Sequence, residues 1–215
     1  MSLTLAQMRA RVQVIYDVTG SAVLSDAEWN QLINDGIRAL WSLVTRINKD
    51  FRVKKLPFTL DGVTQFVALP SDFREVRAVR LNPGTNSQVY LQKESMRNGS
   101  QRYARSYRPE GINLYVEPLQ NCAGTYDLVY IPAAPVLVLD ADAFDLELEQ
   151  FQDYPIYRAV VAALQREESD VSQAAALLGA AEEAVTGWAS DQRSADPDTV
   201  DDVRGQTTWL WGPPG

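Results

Sequence analysis

Between Ser25 and Asn48 apolar residues return at every third or fourth position: Trp29, Leu32, Ile33, Ile37, Leu40, Trp41, Val44 and Ile47, with Gly36 in the same stripe. That is the helical period, held for about six turns at roughly 3.6 residues per turn. The stretch opens on Ser25 and Glu28, the spacing of a capping box, with Leu24 and Trp29 at the spacing of a hydrophobic staple. Asn30, Gln31, Asn34, Asp35 and Arg38 fall on the opposite, polar side. A stripe with two indoles must be covered, so Trp29, Ile33, Ile37, Leu40, Trp41 and Val44 are the candidate core. Gly36 costs roughly 1 kcal/mol against Ala in a helix; a close helix crossing there would offset it.

A shorter helix precedes it, from Leu5 to Asp17, with Thr4 and Gln7 as a second capping box and Leu3 and Met8 as its staple. Leu5, Met8, Val12 and Ile15 form its apolar stripe. The short connection predicts an antiparallel hairpin. From Phe51 the period changes to alternation. Phe51 to Leu60 reads as a strand, with Pro57 placing it at an edge or a break. Asp61-Gly62 is a hairpin turn signal, and Val63 to Leu69 the predicted return strand. Further strands are expected at Glu75–Leu81, at Gln88–Leu91 and across Gln101–Tyr107. Lys93 to Asn98 reads as a helical turn between the last two. Ile112–Glu117, with Ile112, Leu114 and Val116 facing inward, is expected to pair with Thr125–Ile131. That pattern implies an antiparallel sheet or small sandwich.

Pro132 to Asp142 reads as a connector. The helical period then resumes, with Pro155 suited to a first helical position. Ile156, Val160, Val161 and Leu164 follow it. Ser169 is the expected cap of a last, Ala-rich helix ending near Trp188, which should pack close to a neighbour. The predicted class is α+β: a helical bundle of N-terminal and C-terminal helices, an inserted antiparallel β-sheet or small sandwich, and an extended C-terminal tail. The boundaries are 1–50 for the N-terminal helical hairpin, 51–135 for the β-rich insertion, 136–193 for the C-terminal helices and 194–215 for the tail.

Composition removes much chemistry. The chain of 215 residues has no histidine and one cysteine, Cys122. The commonest general base and the commonest transition-metal ligand are therefore missing together, and an intramolecular disulfide is impossible, which suits a reducing compartment. No phosphate-cradling glycine loop or nucleophile elbow occurs. The Asp140–Asp145 run lacks the central glycine of a calcium loop and carries Phe151 where its bidentate Glu belongs. No catalytic residue, metal ligand or cofactor is predicted. A hydrolase with a converging carboxylate pair stays open as a rival, although no spacing singles out a pair. No signal peptide and no membrane span is expected.

Net charge is −8, the wrong sign for a duplex-DNA binder. The charge is also uneven. Arg74, Arg77, Arg80, Lys93, Arg97, Arg102, Arg105 and Arg108 collect in the middle, and Asp140, Asp142, Asp145, Glu147, Glu149, Asp153, Glu182 and Glu183 toward the end. These are either solvated faces or complementary faces of neighbouring subunits, with Arg77, Arg80, Arg102, Arg105 and Arg108 meeting Asp140, Asp142 and Glu182. The Arg102–Arg108 stretch alternates Arg and Tyr. That pattern fits a nucleic-acid-binding accessory protein or a sheet edge guarded by Arg. Two of the five tryptophans lie in the last seven residues, after an acidic linker. Trp209, Leu210 and Trp211, stiffened by Pro213, form either an anchor for another protein or a segment folded on the chain's own core.

Three stretches carry a resemblance: Leu32–Trp41; Val67–Val79, with Leu69-Pro70-Ser71-Asp72-Phe73 followed by a strand; and Leu114–Leu119 with Tyr126–Tyr130 and the Ala-rich late helices. In that order they resemble the head–tail adaptor, or connector, proteins of tailed bacteriophages. The resemblance implies a structural virion protein without enzymatic activity, made in the host cytoplasm and placed at the head–tail junction. It implies a dodecameric homo-oligomeric ring beneath the portal protein, extending the channel through which DNA passes without sequence-specific binding. A tail or neck protein would dock below. The C-terminal Trp209, Leu210, Trp211 and Pro213 would then engage the portal.

Overall fold

The computed structural model describes residues 2–17, 24–93, 105–119 and 122–195. Four helices frame a β region: α1 (Leu5–Asp17) and α2 (Asp26–Ile47) before it, α3 (Asp153–Arg166) and α4 (Ser172–Ala195) after it. The class is α+β, with a helical bundle and an inserted β region. Both capping boxes form. The Ser25 N–H donates to Glu28 Oε2 at 2.9 Å, and the Glu28 N–H to Ser25 Oγ at 3.4 Å. The Thr4 N–H donates to Gln7 Oε1 at 2.9 Å. Each satisfies N–H groups that have no partner within the helix.

Gly36 marks the closest helix contact. A Cβ built there would lie 2.7 Å from Pro155 Cα and 2.8 Å from its carbonyl oxygen. Pro155 is the third residue of α3 rather than its first; its missing N–H costs nothing within the first turn. Trp29, Ile33, Ile37, Leu40, Trp41 and Val44 are all buried in the helical core, with Leu5, Met8 and Val12 of α1 and Ile156, Val160 and Leu164 of α3. The Trp41 Nε1–H donates to the Pro132 carbonyl at 3.0 Å, tying the bundle to the end of the last strand. An aromatic chain continues from Trp41 through Phe51 to Trp188 and Phe151, with centroids 5.2–5.9 Å apart. Phe51 thus belongs to the helical core, and the first strand begins only at Lys54.

The strands are β1 (Lys54–Leu60), β2 (Phe66–Ala68), β3 (Phe73–Leu81), β4 (Val89–Tyr90), β5 (Gln92–Lys93), β6 (Ser106–Glu110), β7 (Asn113–Glu117) and β8 (Gly124–Pro132). They make two four-stranded sheets, ordered β1-β8-β3-β4 and β2-β7-β6-β5. Val79, Leu81, Tyr126 and Leu128 of one sheet share a core with Tyr107, Leu114 and Val116 of the other, so the two form a sandwich.

The pairing corrects the sequence reading in several places. The Asp61-Gly62 turn forms, with Gly62 at φ +88°, but β1 and β2 go to different sheets: β1 pairs with β8, and β2 with β7. The turn is a crossing between layers, because each strand finds a longer apolar partner elsewhere. β8 pairs with β1 and β3, not with β7. One pair, β5–β6, is parallel. Ile112 is 78% exposed; it precedes β7 in the turn, outside the alternation that buries Leu114 and Val116. Pro57 sits in edge strand β1, where a missing N–H is tolerated. The predicted turn at Lys93–Asn98 starts instead as strand β5, and residues 94–98 lie outside the described residues.

The connector after β8 has no regular structure down to Phe144, yet it is fixed. Asn34, read from its helical position as polar and outward, is 7% exposed. Its side-chain amide donates to the Leu137 carbonyl and accepts from the Leu137 N–H, both at 2.9 Å. Asp142 accepts the N–H groups of Val138 at 2.7 Å and Leu139 at 2.8 Å. A 3-10 helix, Leu146–Phe151, follows. At the start of α4, Asp170 rather than Ser169 accepts the Ser172 N–H, at 2.9 Å. The closer carboxylate wins that cap.

Candidate functional site

The residues expected at a subunit interface are scattered, and most are already engaged within the chain. Arg77 binds Asp50 at 2.9 Å. Arg80 lies over the Tyr90 ring at 5.3 Å. Arg105 donates to the Ala123 carbonyl at 3.3 Å. Arg108 reaches Glu110 at 3.1 Å and Glu117 at 3.4 Å, and covers the Tyr115 ring. Asp140 accepts from Arg9 at 3.1 Å. Two backbone N–H groups, from Leu139 first and then Val138, hold the Asp142 carboxyl below its usual range. Glu182 is exposed on α4. Arg102, Trp209, Leu210, Trp211 and Pro213 lie outside the described residues.

The same geometry bears on the rival readings. Tyr107, a supposed base-stacking ring of the Arg/Tyr stretch, is buried in the sandwich core, where burial pushes its hydroxyl pKa up. It offers no face to a base. The Asp140–Asp145 carboxylates diverge: Asp140 to Arg9, Asp142 to the backbone, and Asp145 to Arg52 at 2.7 Å. Among the described residues no group of three or more Cys, Asp or Glu side chains could hold a metal ion. No helix among them is long and apolar enough to cross a membrane.

Three surfaces remain available. One is the connector edge. With Leu137 buried and clamped by Asn34, the side chains on either side point outward: Val136 is 58% exposed, Val138 72% and Leu139 66%. The second is an apolar groove of about 450 Å³ between α1, α3 and α4, lined by Val14, Ile15, Tyr157, Leu164, Ala174 and Leu177 among others.

The third is a cationic groove of about 320 Å³ between the end of α2 and β3. Its charged lining is Arg46, Lys49, Arg74, Arg77 and Glu75. β3 is bulged at two places, between Phe73 and Glu75 and between Val76 and Ala78. The extra residues are Arg74 and Arg77. Residues three apart on a regular strand face opposite sides. The bulges re-aim both arginines to one side, Arg74 onto α2 and Arg77 onto Asp50 just beyond its end. Arg74 then donates to Ser42 Oγ at 3.0 Å and Thr45 Oγ1 at 3.5 Å. Of the groove's cations the sequence marked Arg74 and Arg77 as members of the basic middle stretch, and Arg77 as an interface residue, but not Arg46 or Lys49; the groove that joins them depends on bulges, which have no signature of their own.

A helical bundle with an inserted sandwich leaves two apolar surfaces uncovered, the connector edge and the groove between α1, α3 and α4. A family model described as SU10 adaptor protein matches residues 3–204. The chain belongs to that family. No curated protein matches it. The adaptor therefore has a structural head–tail connector role. That role implies oligomeric assembly with portal and tail components in the virion.

Proposed function

We propose that the adaptor forms a closed ring beneath the portal, dodecameric as its family resemblance implies. The ring would sit at the head–tail junction, extend the DNA channel and give a tail or neck protein its docking platform. The frame is the four-part organisation 1–50, 51–135, 136–193 and 194–215. A ring contact is heterologous, so it needs two different complementary faces on each subunit. The observation that carries this reading is the pair of uncovered apolar surfaces: the connector edge at Val136, Val138 and Leu139, and the groove lined by Val14, Tyr157 and Leu177. The edge packs beside the start of α1, where the Leu5 N–H donates to the Asp142 carbonyl at 2.9 Å. The groove lies at the other end of that helix, some nine residues or about 14 Å away. We place the edge of one copy in the groove of the next.

Arg77, Arg80, Arg102, Arg105, Arg108, Asp140, Asp142 and Glu182 then act at the rim of that contact. Charges with internal partners have less to give a neighbour, so their effect is modest and screened by salt. Trp209, Leu210, Trp211 and Pro213 are the portal anchor. Each tail binds weakly and the ring's many tails bind together. DNA passes without being held, as a net negative wall favours.

Negative-stain imaging and native mass of the full chain test the ring. Val138→Asp with Leu139→Asp, and separately Leu177→Asp, should fold with the wild-type melting midpoint and fail to close rings. Rings from both variants would refute the contact. Truncation after Arg204, and Trp209→Ala with Trp211→Ala, should leave melting unchanged and abolish attachment to assembled portal. Wild-type attachment would remove the tail from the anchor. Loss of folding would place it in the chain's own core.

A further inference from the structure

We infer that the cationic groove is a receptor for the adaptor's own acidic segment, Asp196-Pro197-Asp198-Thr199-Val200-Asp201-Asp202, which therefore leaves the body from a fixed point. The groove is over-supplied with positive charge. Arg77 is matched by Asp50. Arg46 and Lys49 have no carboxylate partner among the described residues, and Arg74 spends its guanidinium on two neutral hydroxyls. Arg46 and Lys49 flank the C-terminus of α2, whose dipole carries only about half an elementary charge. Glu75 offsets one more. A surplus of cations facing one concave site selects a multiply anionic ligand, and a guanidinium pairs best with a carboxylate or phosphate in plane.

The chain itself carries such a ligand within reach of the site. Segment 196–202 has four aspartates and no basic residue. Its point of departure is also on hand. Trp188 of α4 stacks edge-on against Phe51 at 5.9 Å, and Phe51 follows Lys49 by two residues, with its N–H bound to the Asn48 carbonyl. α4 runs seven residues beyond Trp188, about 10 Å. The seven residues after Ala195 can span roughly 23–25 Å when extended. The segment therefore reaches the groove even if the helix end points away from it. Duplex DNA is the other anionic candidate. A concavity of about 320 Å³ between a helix end and a bulged strand admits single side chains of a peptide better than a rigid duplex.

Anchored in this way, the free tether begins near residue 202 instead of 195, and Trp209–Trp211 sample a smaller volume. That consequence for portal docking rests on the tail reading above. The groove contact does not, so either can fail alone.

The test is zero-length carbodiimide cross-linking of the full chain, mixed from unlabelled and ¹⁵N-labelled copies and read by mass spectrometry. The expected product joins Lys49 to an aspartate of 196–202 within one isotopic copy. Arg46→Glu with Arg74→Glu should reduce it several-fold at an unchanged melting midpoint. Adding Asp201→Arg with Asp202→Arg to that variant should restore the link through Asp196 or Asp198, which a merely structural role for the arginines would not do. Three results would overturn the inference: no product, a product only between isotopically mixed copies, or no rescue by the charge exchange. Displacement of the link by a short DNA duplex at low salt, with duplex binding lost in Arg46→Glu/Arg74→Glu, would assign the groove to phosphates instead.

Discussion

α2 and α4 are nearly the same length, 22 and 24 residues, and do opposite work. α2 buries eleven of its residues, including both its tryptophans, and every neighbour uses it: Pro155 of α3 at Gly36, Leu137 of the connector at Asn34, and Pro132 of β8 at Trp41. α4 buries Ala174, Val185 and Ala189 and leaves Ala176, Leu177, Ala180, Glu183, Ala184 and Gly187 exposed. The difference lies in what each surface costs uncovered. An indole stripe in water is untenable, since burying one large side chain is worth roughly 1.5–3 kcal/mol. An alanine face exposes little apolar area, and Ala is the best helix former. α4 can therefore stand half-covered in one subunit and still offer a close-packing face to another.

Four measurements would break or sharpen that contrast. Trp41→Ala should have the largest effect, about 3–5 kcal/mol as for a buried aromatic, read from urea denaturation; an unchanged midpoint would remove α2 from the centre. Asn34→Ala should follow at about 2–3 kcal/mol, because the Leu137 N–H and carbonyl lose their partners. Hydrogen exchange at Leu137 should rise with it, and an unaltered rate would show that the connector is held by something else.

The third measurement makes the same substitution on both helices. Gly36→Ala drives a methyl into the Pro155 backbone and should destabilise by about 1–3 kcal/mol, as overpacking does. Gly179→Ala meets open space and should stabilise by up to about 1 kcal/mol through helix propensity. Equal signs in the two melting shifts would erase the distinction between a buried and an outward helix.

The smallest effect concerns pH. The backbone N–H groups of Leu139 and Val138 depress the folded-state pKa of Asp142 below the reference 3.8. A depressed carboxyl adds stability that is fully present above that reference value and is lost as pH falls through the folded value. Exchange protection at Val138 and Leu139 should therefore hold at pH 5 and weaken below about pH 4. In Asp142→Asn protection should be weaker and flat across that range; a wild-type pH dependence there would place the titrating group elsewhere.

The charge surplus shows why composition alone misleads about partners. The basic middle and acidic end of the chain read as two faces for a neighbour. Folding brings Arg9 to Asp140, Arg52 to Asp145 and Arg77 to Asp50, separations of 131, 93 and 27 positions that no local pattern reveals. At the α2–β3 groove Arg46, Lys49 and Arg74 keep no carboxylate partner among the described residues, and of these three the charge counts had picked out only Arg74.

The sequence by itself determined whatever depends on neighbours within a few positions. Both N-terminal helices start and stop where their capping boxes and apolar periods put them, Gly36 marks a crossing, and the strands of the insertion lie close to where alternation placed them. The adaptor resemblance rested on short stretches in a fixed order. Tertiary structure alone decided the rest. Strand partners depend on which apolar faces meet across long loops, so Asp61-Gly62 could signal a turn without saying that it crosses between sheets. Asn34 could be placed on a helix face but not opposite a backbone 103 residues away. The bulges that turn Arg74 and Arg77 to one side arise from register against β8. Local periodicity specifies elements because their hydrogen bonds are local; pairing, clamps and grooves are set by contacts whose two halves lie far apart in the chain.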